Sequence, residues 1–147
     1  MKNENARLFF EQEMISMLEG RKVFCSFSGG SDSLALLVSL KAYSEEVPFI
    51  LTAIHFDHGI RGDASMQDAL ECGKVCQELS IPCTIKKLYV PSSKLPGEGD
   101  ESAARRLRLE SWAEIIDDPE NSVIALGHNS GDRIENLFIR LFRGSNS

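Results

Sequence analysis

Across its 147 residues the chain has no C-x-x-C pair, no lysine between Lys22 and Lys41, and no apolar run approaching the thickness of a bilayer. Each absence removes a class of function. A membrane-spanning helix needs about 20 consecutive apolar residues, so none is expected. Met1 to Asn5 lacks the basic-then-apolar plan of a secretory leader, which makes the cytoplasm the expected compartment. Of the four cysteines, Cys25 lies inside one apolar segment and Cys83 at the start of another, positions that suit small buried hydrophobes. Cys72 and Cys76 stand four apart, a weak spacing for a metal or an iron–sulfur centre. A net charge of −6 speaks against a broadly basic nucleic-acid surface. It leaves room for a local basic patch at Arg105, Arg106 and Arg108, with Arg133, Arg140 and Arg143 further on, although the same residues also suit a solvated helix face. There is no internal repeat and no low-complexity segment, and a single domain over 1–147 is expected.

What is present is concentrated in Val23 to Ser33, VFCSFSGGSDS. Val23 to Phe27 reads as a buried strand and Leu34 to Leu40 as the start of a helix, with Ser28-Gly29-Gly30-Ser31 as a tight turn between them. Strand, Gly-rich turn and helix in that order make an anion cradle, because the backbone N–H groups of the turn and of the helix N-terminus point at one place. Ser28, Ser31 and Ser33 can add hydroxyl donors. Asp32 would repel an anion unless a cation sat between them, and Mg²⁺ takes a carboxylate together with phosphate oxygens. Three familiar Gly-rich sites fail here. The missing lysine excludes a P-loop, the lone Gly29-Gly30 pair excludes a dinucleotide fingerprint, and Ser33 stands where a hydrolase elbow needs glycine.

Further strands are expected at Phe49 to Phe56, Cys83 to Val90 (an edge, by its polar middle) and Ser122 to Leu126. Helices are expected over Asn5 to Leu18, from Leu34 to near Tyr43, Met66 to Leu79, Glu101 to Ile116, and from a cap at Asn129 or Ser130 to Arg143. Pro91 to Asp100, PSSKLPGEGD, is long for a connection and is expected to be a mobile functional loop. Alternating strands and helices specify a parallel α/β sheet. Ligands bind outside the carboxyl ends of such strands, so His55, Asp57, His58 and Gly59 should face the same crevice as the SGGSDS turn. A metal triad of His55, Asp57 and His58 is the rival for that strand end.

SGGSDS resembles the PP-loop signature SGG-x-D-S of the N-type ATP pyrophosphatases, which cleave ATP between its α and β phosphates. Three later stretches resemble one family within that group, the tRNA(Ile)-lysidine synthetases. IHFDHGIRGDAS (54–65) is similar to its H-x-x-H-G-[LI]-R motif. DESAARRLRLESW (100–112) is similar to E-x-x-A-R-x-x-R-[YW], with Arg105 and Arg108 on the arginine positions and Leu109 where an aromatic is usual. LGHNSGDRIENLFIRLFRGS (126–145) is similar to H-x-x-D-D-x-x-E-T followed by L-x-R-L-x-R-G-[SA], with Gly131 and Asn136 departing from it.

The resemblance implies a doubly wound, Rossmann-like parallel sheet of the adenine nucleotide alpha hydrolase kind, in the order 3-2-1-4. It implies ATP and Mg²⁺ as cofactors, and free L-lysine and a tRNA(Ile) with a CAU anticodon as partners. Asp32 would be the metal ligand and, with Arg105 and His128, catalytic. Ser28, Gly29, Gly30, Ser31, Asp32 and Ser33 would hold phosphates, while Ile54, His55, Phe56 and His58 would line the nucleotide pocket. In the family R-G-[SA] runs on into another strand and tRNA-binding domains, so the chain is expected to be a fragment or a truncated product. Its Ser122 to Leu126 edge would then stay open to pairing with a second copy. Rival readings are a tRNA thiolation enzyme, NAD or GMP synthetase, a nucleotide-binding domain without activity, and a metal-dependent oxygenase.

Overall fold

The computed structural model describes residues 10–59, 62–127 and 137–141, the last group as backbone alone. Strands β1 (Lys22–Ser26), β2 (Ile50–Asp57), β3 (Cys83–Lys87) and β4 (Ser122–Gly127) are parallel, and β5 (Leu137–Leu141) runs antiparallel to β4. The sheet order is β3-β2-β1-β4-β5, so the parallel part has the expected order 3-2-1-4. Helices α1 (Gln12–Leu18), α2 (Ser31–Ser44), α3 (Asp63–Glu78), α4 (Val90–Ser93) and α5 (Asp100–Ile115) fill the connections.

Side chains along a strand alternate between faces, and β1 sorts its neighbours accordingly. Val23 and Cys25 join a core with Leu36, Leu37 and Leu40 of α2 and Cys72 and Cys76 of α3. Phe24 goes to the other face, where Ile54 and Ile124 pack on Trp112 and Ile116. Trp112 meets Phe24 and Phe56 edge-on, with ring centroids 6.4 and 5.3 Å away. With both faces covered, the central strands read as continuous apolar runs, as a buried parallel sheet requires. Truncating a fully buried leucine such as Leu36 would cost about 2–5 kcal/mol.

Helices α2 and α3 cover one face while α5 returns the chain across the other. The strand order therefore reverses between β1 and β4. Gly127, at the end of β4, lies so close to the start of α2 that a Cβ there would be 3.3 Å from the Asp32 carbonyl oxygen.

Four expectations are corrected. Leu137–Leu141 is a strand, where a helix running to Arg143 was expected. Its apolar, β-branched and aromatic residues suit pairing, and it supplies hydrogen-bond partners along β4. The β4 edge expected to lie open is thus occupied. The third strand stops at Lys87 rather than Val90, because Tyr89 takes a left-handed conformation (φ 53°) and α4 begins. The segment 91–100, expected to be mobile, is tied down by Arg106: its Nε donates to Glu98 at 2.9 Å and its Nη2 to the Ser93 carbonyl at 2.8 Å. Asn5 to Phe9 and the proposed caps Asn129 and Ser130 lie outside the described residues. No helix among the described residues is long and apolar enough to cross a membrane.

Candidate nucleotide site

The Gly-rich turn begins where β1 runs out of partners. The Phe27 N–H donates to the Ile54 carbonyl at 2.8 Å, which carries the ladder one residue past the strand. Gly29 then adopts φ +96°, a conformation that L side chains avoid, and a Cβ there would sit 3.3 Å from the Cys72 sulfur. Both facts demand glycine. Ser33 is buried and faces inward rather than toward a ligand. Its Oγ accepts the Ser28 N–H at 3.1 Å and donates to the Gly30 carbonyl at 3.2 Å, which locks the turn. Ser28 Oγ in turn accepts the Gly30 N–H at 3.2 Å.

Helix α2 starts after Gly30 with no side-chain cap. Its first-turn N–H groups have no intrahelical acceptor and, with the exposed Gly29 and Ser31, form an open donor surface at the positive end of the helix dipole. Asp32 lies on this surface. Its Oδ2 is shielded from solvent and has no hydrogen-bond partner among the described residues. A buried carboxylate oxygen without a partner is costly. A cation shared with bound phosphates removes that cost, so the residues present fit Mg²⁺.

Beside the turn opens a cavity of about 430 Å³, walled by Phe27 and Ser28 from the first connection, by 55–58 from β2 and its end, by Ser65 and Asp68 from α3, and by Arg108 from α5. This is a typical size for a small-molecule site. His55 is buried, and its Nδ1 donates to the Phe27 carbonyl at 2.9 Å. Asp57 Oδ1 accepts the Gly59 N–H at 3.0 Å and shapes the turn after β2. Burial above all, then the charge of Arg108 and the neighbouring His55, lowers the His58 pKa, partly opposed by Asp57. His58 is therefore neutral near pH 7.

The residues singled out in the sequence separate here. His55, Phe56, His58 and Ser28 line the cavity, and Gly29, Gly30, Ser31 and Asp32 follow Ser28 in the chain without being among its lining residues. Ile54 does not line it: its side chain is in the core against Trp112 and its carbonyl is taken by Phe27. Arg105 is exposed on α5, and it is Arg108 that reaches the cavity wall, without a hydrogen bond or ion pair to any described residue. Burial lowers the Arg108 pKa, helped by Arg105 and opposed by Glu101. Helical spacing held the clue, since Arg108 follows the buried Ala104 by four residues. Ser65 and Asp68 carried no such signal. His128 lies outside the described residues.

Among the described residues no three His, Cys, Asp or Glu side chains are grouped to hold a metal ion, and His55 and Asp57 are engaged as above. The cysteines stay out of the cavity. Burial, reinforced by neighbouring thiols, pushes Cys72 up to about 11 and Cys76 up to about 12.

The sequence profile of the PP-loop domain family matches residues 3–147. The chain is 35% identical over 128 residues to a tRNA(Ile)-lysidine synthase of Clostridioides difficile, which covers 86% of this chain and 28% of that protein. It is 32% identical over 145 residues to one of Geobacillus kaustophilus, covering 98% of this chain and 31% of that protein. It thus spans less than a third of the length of these curated relatives. Among solved structures it superposes on the U34-tRNA thiolase NcsA from Methanococcus maripaludis with its [4Fe-4S] cluster. The TM-score is 0.62 at 22% identity, over 80% of this chain and 45% of that one, a likeness of fold.

Proposed function

The chain belongs to the PP-loop domain family, and from that premise we propose that it is the ATP-activating part of a tRNA(Ile)-lysidine synthetase. The observation that carries the proposal is a single juxtaposition. An uncapped helix N-terminus, with an Asp32 Oδ2 that has no partner among the described residues, starts three residues past Ser28, which lines a cavity wide enough for a nucleoside. The choice of substrate rests on similarity to the lysidine synthases.

In the proposed reaction the C2 carbonyl oxygen of the wobble cytidine in a CAU anticodon attacks the α-phosphate of ATP and pyrophosphate leaves. The ε-amine of free lysine then attacks C2 and expels AMP. The N–H groups of Gly29 and the first turn of α2 would receive the negative charge that grows on the leaving pyrophosphate. Asp32 would hold Mg²⁺, which when bound neutralises phosphate charge. Phe56 gives the adenine an apolar wall, and the His55–Phe27 bond keeps the turn after β1 in register with β2. Arg108, half-buried and without an ion pair, is positioned to stabilise charge at the α-phosphate, while the exposed Arg105 faces the side from which RNA would approach. His128 is assigned, by its motif alone, to contact ATP or the activated base.

The thiolase-like alternative needs a reactive thiol or a cluster. Thiols near 11 and 12 are protonated at neutral pH and lie away from the cavity, which favours the ligase reading. The test incubates the chain with ATP, Mg²⁺, labelled lysine and an unmodified CAU-anticodon tRNA. Pyrophosphate release that depends on this tRNA is the expected result, while lysine entry into the RNA at the rate of an extended chain is not expected of this ATP-activating part alone. ATP binding without pyrophosphate release would leave a nucleotide-binding domain, and sulfur transfer would support the thiolase.

A further inference from the structure

At the carboxyl rim of the sheet one aromatic side chain is held outward against its own backbone preference. Tyr89 has φ 53°, ψ 48°, a left-handed conformation costly for a bulky residue, yet 60% of its surface is exposed. Its neighbours impose the strain. The Leu88 N–H donates to the Asp57 carbonyl at 2.9 Å and the Val90 N–H to the His58 carbonyl at 3.0 Å. Both flanking side chains are buried, packed with Ala103 and Ala104 of α5. Pinned on each side, the chain turns Tyr89 away from the core. Such strain persists only where the surroundings over-determine it, and it clusters at functional sites.

The setting indicates what the ring is for. Asp57 and His58, whose carbonyls hold the backbone on either side of Tyr89, also line the cavity, so Tyr89 stands beside the proposed site. Exposed cations stand nearby in the chain and the fold. Lys87 is two residues before Tyr89, and Arg105 follows directly on the Ala104 that packs under Leu88 and Val90. Neither has an ion pair with a described residue, whereas Lys86, Lys94 and Arg106 are all paired. An exposed ring with cations nearby that have no ion pair among the described residues suits an unstacked base and its flanking phosphates, the means by which proteins hold single-stranded RNA.

We infer that Tyr89 is a stacking platform for an unpaired nucleobase of the RNA substrate, with Lys87 and Arg105 receiving the adjoining phosphates. The inference rests on the RNA-substrate reading above, and the experiment separates the two. Binding of a fluorescein-labelled RNA stem-loop displaying CAU in its loop is measured by anisotropy at low salt with ATP and Mg²⁺. Wild type is compared with Tyr89→Asn, which tolerates the left-handed backbone, and with Tyr89→Trp. Loss of one stacked base should weaken RNA binding about tenfold in Tyr89→Asn. Tyr89→Trp should keep it, and ATP–Mg²⁺ affinity and melting temperature should not fall in Tyr89→Asn. Equal RNA binding by wild type and Tyr89→Asn overturns the inference, as does an equal loss in both variants or a parallel loss of ATP affinity. A wild-type chain that binds ATP–Mg²⁺ but not the stem-loop overturns the lysidine synthetase reading and this inference together.

Discussion

Helices α2 and α5 begin alike and end up with opposite fates. Each follows a turn holding two glycines and starts after a glycine in extended conformation, Gly30 at φ −79°, ψ 169° and Gly99 at φ −83°, ψ 174°. Neither has a side-chain cap, and both carry acid in the first turn, Asp32 in one, Asp100 and Glu101 in the other. Around Gly99 the polar groups are used up internally. Asp100 pairs with Lys94 at 2.9 Å, Glu98 accepts the Leu95 N–H at 2.9 Å, and Arg106 bridges Glu98, Glu110 and the Ser93 carbonyl. Around Gly30, the inward-facing Ser33 and Ser28 brace the turn from within, while Asp32 and the first-turn amides keep an open side. The same local grammar yields a structural clasp in one place and a ligand cradle in the other. What separates them is whether the chain supplies its own partners.

The sharpest way to break this contrast is Asp32→Ala. Losing the proposed cation ligand should weaken ATP–Mg²⁺ binding by a few kcal/mol, about 100-fold or more, read by calorimetry. Without ligand the variant should be no less stable than wild type, because an unpartnered buried carboxylate oxygen contributes nothing to folding. Equal stabilisation of both proteins by ATP with Mg²⁺ would remove the cation assignment.

A smaller effect is expected from Gly29→Ala compared with Gly99→Ala. The first meets both a left-handed backbone and the Cys72 sulfur, and should lose about 1–2 kcal/mol of stability. The second has an ordinary φ and open space at its Cβ, and should stay within about 0.5 kcal/mol of wild type. Paired thermal melts read the difference, and equal losses would dissolve the distinction.

The smallest effect is expected from Arg106→Gln. It should speed hydrogen exchange at the Leu95 amide and leave ATP–Mg²⁺ affinity unchanged. Hydrogen bonding from Arg106 is the main reason the Glu98 carboxyl titrates below its ordinary 4.5. The folded chain therefore binds fewer protons there than the unfolded chain. The stabilisation is present above that ordinary value and is lost as pH falls through the lowered one. Arg106→Gln should flatten this acid limb, and an unchanged pH dependence would show that the clasp is not what holds 94–99.

Much of this was legible beforehand. The 3-2-1-4 order, the strand–turn–helix at Val23 to Ser33 and the cavity positions of His55, Phe56 and His58 followed from apolar runs, glycine placement and motif resemblance. Other features were not, each for a tertiary reason. Ser33 has the same hydroxyl as Ser31, and only the helix phase buries one and exposes the other. Ile54 shares the Trp112 face of β2 with Phe56, yet lying two residues further from the carboxyl end it stays in the core while Phe56 reaches the cavity. Pro91 to Asp100 has the composition of a mobile loop, and its restraint comes from Arg106, six residues beyond its end. Leu137 to Leu141 suits helix or strand by composition, and the neighbouring β4 edge decides for strand.

By itself, then, the sequence determined the strand–turn–helix at Val23 to Ser33 and the anion-seeking character of its loop, because these depend on residues a few positions apart. Only the tertiary structure decided that Arg108 rather than Arg105 reaches the cavity, that Arg106 is spent on a clasp, and that Asp32 keeps an unpartnered oxygen. Whether a charge is neutralised or left free depends on which distant groups packing brings within about 4 Å, and no local pattern encodes that.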